Sequence, residues 1–92
     1  MDKNELYDTL LSDMHKVIHE ELNHDYSTSD FTHVKKTRIL NRSFNNGKVF
    51  AYLEMIDRLC GTEYLVKAYE EVKDFTETST MICNEIYQYL SR

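Results

Sequence analysis

Apolar residues recur at spacings of three and four along three stretches of this chain, and that period predicts helices. In the first stretch, Asp2 to about His24, the residues are Leu6, Tyr7, Leu10, Leu11, Met14, Val17, Ile18 and Leu22. At about 100° per residue they span an arc of roughly 160°, wide enough for two neighbours. Asp2 followed by Glu5 has the spacing of a capping box. The last stretch is the most regular, with Leu65, Ala68, Val72, Phe75, Ser79, Ile82, Ile86 and Tyr89 alternating three and four without a slip. This is a heptad seam. At 1.5 Å per residue it predicts a helix of roughly 42 Å, longer than either of the others.

Between them, Phe50, Leu53, Ile56 and Leu59, backed by Val49, Met55 and Cys60, predict an amphipathic helix ended by Gly61 in a left-handed cap. Ahead of it the pattern weakens. Asn41 to Gly47 holds three Asn and one Gly, poor helix formers, so a bend or short break is expected there. Phe31 to Arg42 reads as helix, with a short strand through Thr37 to Leu40 as the alternative. Asp25 to Asp30 breaks the period and predicts a loop, with Ser29 or Asp30 as the next cap. Thr76 to Thr80 is weak helix material, but the unbroken seam argues for continuity. The expected fold is all-α, a small bundle of three main helices with a long heptad-patterned C-terminal helix, as a single domain over residues 1–92.

Composition supports this reading. Proline is absent and glycine occurs twice, which removes the usual punctuation of hairpins. An apolar share of 41% with 29% charged residues lies in the globular range. No signal peptide is read in the acidic Met1 to Asp13, and no apolar run approaches the ~20 residues of a membrane span, so a cytoplasmic location is expected.

The net charge of −5 is unevenly spread. Acids outnumber bases seven to two over Met1 to Thr28 and six to three over Thr62 to Arg92, while Phe31 to Leu53 holds five bases and no acid. Within that middle, Lys35, Arg38 and Arg42 share a face if the segment is helical, with Lys36 beside them. Such a stripe can bind phosphates, which makes a small nucleic-acid-binding regulator using Lys35, Lys36, Arg38 and Arg42 the alternative function.

Other chemistry is thinly supported. His15 and His19 lie one turn apart with Asp8 on the same flank but lack a fourth metal ligand, and His19 to His24 has the wrong spacing for the zinc-protease helix. Cys60 and Cys83 lie inside apolar patterns and read as buried thiols. No glycine-rich phosphate loop or nucleophile and base pairing is present, so neither an enzyme, a cofactor nor a metal is expected. Seven tyrosines stand out instead. Tyr69 and Tyr87 flank the heptad seam, and Val66 and Met81 point beyond what one seam would bury, as on a contact surface.

Asn46 to Asp57, Asn-Gly-Lys-Val-Phe-Ala-Tyr-Leu-Glu-Met-Ile-Asp, resembles a segment of small uncharacterised proteins from phages and conjugative elements of low-GC Gram-positive bacteria. The likeness covers about an eighth of the chain. It implies an accessory protein that binds and inhibits a host protein, anti-CRISPR and other anti-defence proteins among them. Three expectations follow. The chain works by stoichiometric binding to a host protein, possible targets including nucleic-acid-handling enzymes. Its partner-facing acids are Glu70, Glu71, Asp74 and Glu77. It pairs as a homodimer through Leu65, Val72, Phe75, Ile82, Ile86 and Tyr89, on a final helix that overhangs its shorter neighbours.

Overall fold

A helix needs its first amide donors satisfied, and Asp2 does this for the first one. The Asp2 carboxylate accepts a hydrogen bond of 2.8 Å from the Glu5 amide, and α1 runs Lys3–Leu22. The computed structural model describes residues 2–24 and 31–90, with side chains at 2–24, 37–84 and 88. Two further helices follow, α2 (Phe31–Cys60) and α3 (Thr62–Leu90). Among the described residues there is no strand, and no helix is long and apolar enough to cross a membrane. The expected loop over Asp25 to Asp30 lies outside the described residues.

One residue, Gly61, joins α2 to α3. Its φ is 110°, a left-handed value that costs other L-residues energy. The Gly61 amide donates to the carbonyls of Ile56 and Asp57, and its own carbonyl accepts from the Tyr64 and Leu65 amides, all at 3.1 Å. The turn thus closes one helix and opens the next. α2 and α3 return antiparallel, so Arg42 meets Ser79 and Ser43 meets Cys83.

Packing follows one rule in all three helices. The buried residues of α1 are Leu10, Met14, Val17 and Glu21, and α2 buries Val49, Leu53, Ile56 and Cys60. On α3 they include Ala68, Val72, Phe75 and Ser79. Each set has the spacing four, three, four, the seam of a left-handed bundle. α1 lies chiefly on α2, running opposite to it. Cys60 Sγ lies 3.8 Å from the Lys3 carbonyl at one end, and Asn45 donates to the Glu21 carboxylate at 2.7 Å at the other. It touches α3 through Tyr7 against Tyr64, whose ring centroids are 5.0 Å apart, and through His15 near Glu71 at 3.9 Å.

Several expectations change. α2 is continuous through Asn41 to Gly47 and through Thr37 to Leu40, so neither the break nor the strand is formed. Burial of Val49, and of Arg42 against Ser79 and Phe75 of α3, outweighs the weak propensity of the Asn residues. α3 has 29 residues and α2 has 30, so the last helix is not the longest and α2 accompanies it throughout. What extends beyond a shorter partner is the α2–α3 hairpin, because α1 has only 20 residues, about 30 Å against about 45 Å. The radius of gyration of 15.2 Å, against about 12 Å for a compact domain of this size, records that elongation. Thr76 to Thr80 stays helical, with Thr76, Ser79 and Thr80 hydroxyls donating to carbonyls one turn back.

Gly47→Ala and Gly61→Ala test this account as a pair, since an added Cβ meets nothing within 4 Å at either position. Gly47 is mid-helix, so Ala there should stabilise by about 0.5–1 kcal/mol. At Gly61, Ala should destabilise by about 1–2 kcal/mol, entirely from backbone strain. Urea unfolding midpoints at unchanged slope measure both. Equal shifts would contradict the strained-turn account.

Candidate functional site

Phe50 and Leu53 on α2, with Leu65, Val66 and Tyr69 on α3, line an open groove of about 400 Å³ beside the Gly61 turn. The period of each helix makes it. On α2 the buried seam runs through Val49, Leu53, Ile56 and Cys60, which turns Phe50 about 100° away, to the flank shared with α3. On α3, Val66 and Tyr69 lie on one flank of the seam, while Tyr64 and Glu71, which meet α1, lie on the other. The groove therefore occupies the side of the hairpin that α1 leaves uncovered. Phe50 is 51% exposed and Val66 57%.

The charged residues lining the groove are all acids, Glu54, Asp57 and Glu70. Arg58 bridges Glu54 at 2.7 Å and Lys73 bridges Glu70 at 3.0 Å, while Asp57 accepts from the Thr62 hydroxyl at 3.3 Å. The hydrogen bond that Lys73 donates to Glu70, together with the Glu70 charge, holds the Lys73 ammonium above its usual pKa. Across the molecule, partial burial and then the Glu71 charge raise the Tyr7 phenol in the same direction.

Comparison with family models, with curated proteins and with solved structures returned no match.

The residues expected from the sequence are distributed as follows. Glu70, Asp74 and Glu77 fall at i, i+4 and i+7 on the outer face of α3 and are exposed; Glu71 turns toward His15. Val72 and Phe75, expected to pair two copies, are buried at 1% and 7% exposure inside the chain's own core. They face α2 because the seam is satisfied within the monomer, so they offer no outer surface. Leu65 and Ile82 are half-buried; the side chains of Ile86 and Tyr89 lie outside the described residues.

The basic stripe is corrected too. Arg42 is 6% exposed, its Nε donates to Ser79 Oγ at 2.7 Å, and its guanidinium lies 4.5 Å from the centre of the Phe75 ring. A phosphate could not reach it without opening the core. Arg38 is half-buried, and the side chains of Lys35 and Lys36 lie outside the described residues. Among the described residues no group of three His, Cys, Asp or Glu could hold a metal ion.

Phe50, Leu53, Glu54 and Asp57 were missed as a site because the sequence shows one apolar face on α2, not which flank its partner leaves open. The expected surplus of Val66 and Tyr69 beyond the α3 seam was the available signal. The core contact has a direct test. Ser79→Ala leaves Arg42 Nε without its hydroxyl acceptor and should cost about 1–3 kcal/mol. Ser43→Ala, at the exposed contact with Cys83, should stay within about 0.5 kcal/mol. Denaturant titration of both decides it, and equal costs would refute the buried clamp.

Proposed function

We propose that this chain is a non-enzymatic protein-binding module whose acid-rimmed groove accepts a short amphipathic helix from a partner. The groove itself is the observation that carries the reading. Phe50 to Asp57 spans about two helical turns, room for two large apolar side chains one turn apart. An apolar floor with three carboxylates and no lining cation favours a helix with Lys or Arg beside those side chains. Recognition of helices in grooves by such spaced side chains is a recurrent mode.

A short stapled peptide with Leu and Phe one turn apart and flanking lysines is the direct probe. It should bind saturably, more weakly with added salt, and Val66→Asp should abolish the binding; a version with Glu for Lys should bind poorly. Absence of binding to the unaltered chain at millimolar peptide would defeat the reading.

A narrower second reading is an inhibitor carried by a mobile element and aimed at a nucleic-acid-handling enzyme, such as a CRISPR-type nuclease. It is favoured by the exposed row Glu70, Asp74 and Glu77, which could meet a basic groove and speed encounter. Cleavage assays on CRISPR-type nucleases with excess chain test it. Inhibition should be stoichiometric, and reversal of the three acids to Lys should slow its onset and flatten its salt dependence. Nucleases unaffected by the unaltered chain would remove this reading.

A further inference from the structure

The outer face of α2 carries its own candidate for that groove. Leu40 and Phe44 are one turn apart, 70% and 65% exposed, in the stretch from Phe31 to Leu53 that contains no acid. Lys48 follows one turn later, its ammonium 4.6 Å from the centre of the Phe44 ring. Along α2, Leu40 and Phe44 lie roughly opposite the buried seam and Lys48 about 110° from it, each about a quarter turn or more from Phe50 and Asp57. Neither α1 nor α3 covers them.

We infer that the partner of the groove is a second copy of this chain, which inserts Leu40 and Phe44 and brings Lys48 to the rim of Glu54, Asp57 and Glu70. The inference rests on the groove reading above and supplies its occupant. Three features carry it. The two exposed side chains have the one-turn spacing that the groove length admits. The inserting stripe carries Lys48 beside Phe44 and no acid, where the receiving rim is acidic. Pairing groove to groove would instead set the three rim acids of each copy against the same three of the other, which opposes that arrangement.

Because groove and stripe lie on different faces of one molecule, the contact is heterologous. Each copy that inserts its stripe keeps an open groove, so the assembly grows beyond a dimer unless it closes into a ring. That feature makes the test unusually specific. Phe44→Asp disables the stripe and spares the groove; Val66→Asp disables the groove and spares the stripe. Both positions are exposed, and circular dichroism checks that both variants fold.

Sedimentation velocity over a concentration series should show the unaltered chain growing past dimer, and each variant alone weakened about tenfold or more. An equimolar mixture of the two should form a 1:1 dimer and stop there, since the only intact stripe and the only intact groove lie on different partners. Lys48→Glu should weaken association and Lys48→Arg should retain it. A chain that stays monomeric while binding the stapled peptide would overturn the second-copy inference and leave the groove reading standing; failure of both would overturn both. Association of the unaltered chain without a dimer in the mixture would also overturn the inference.

Discussion

A single residue in the left-handed region fixes the register on which everything else depends. With Gly61 as the whole connection, α2 and α3 have no slack to slide, so the hydrogen bonds that close the turn at Gly61 dictate the pairing of Arg42 with Ser79, 37 residues apart in sequence. A longer loop would allow a seam of regular heptads to slip by one repeat at modest cost. The short turn forbids it, and the Arg42 clamp gives the far end a polar match that a slipped register would leave unsatisfied. The groove inherits its shape from this register. Phe50 and Tyr69 share a wall only because the turn holds α2 and α3 in step.

α1 then decides which side of the hairpin is finished. It brings Leu10, Met14 and Val17 onto the α2 seam and ends where Glu21 reaches Asn45 and Leu22 reaches a small cleft beside Arg42 and Phe75. A hairpin of two helices has two grooves, and α1 fills one of them. The other keeps its apolar floor in water, while Leu40, Phe44 and Met81 stand exposed on outer faces of the hairpin. For a chain with a small core this is a substantial apolar exposure, and it ties the elongated form to the binding role argued for it.

How much was legible depended on whether a helix had one dominant face. α1 and α3 alternate three and four cleanly, so the Asp2 cap and the apolar residues of both seams followed from spacing, while the burial of Glu21 and Thr76 did not. α2 did not. Phe50, Leu53, Ile56 and Leu59 are spaced by three throughout, which drifts around a 3.6-residue helix, and the face that packs is Val49, Leu53, Ile56 and Cys60. Because α2 is apolar on more than one side, its pattern could not say which side meets α3, and the groove stayed invisible. Arg42 was misplaced for the same reason. A basic residue at a seam position is read as exposed unless a hydroxyl such as that of Ser79 is known to wait opposite, and that pairing is a tertiary fact.

In the proposed assembly charge would act at two distances that oppose one another. Whole copies carry −5 each and repel over a range set by the Debye length, about 8 Å at physiological ionic strength. Lys48 against Glu54, Asp57 and Glu70 attracts only at contact, where part of the pairing is already taken by Arg58 and Lys73. Rising salt removes the long-range repulsion first, because contact pairs partly withdrawn from water are screened less. The proposed self-association should therefore have a maximum at intermediate ionic strength, strengthening as the repulsion fades and weakening once the contact pairs are screened; sedimentation velocity across a salt series measures it. A foreign helix of net positive charge meets no such repulsion, and its binding declines with salt from the start. The two proposed occupants of the groove should thus differ in the shape of their salt dependence, a consequence of an acidic rim on an acidic protein.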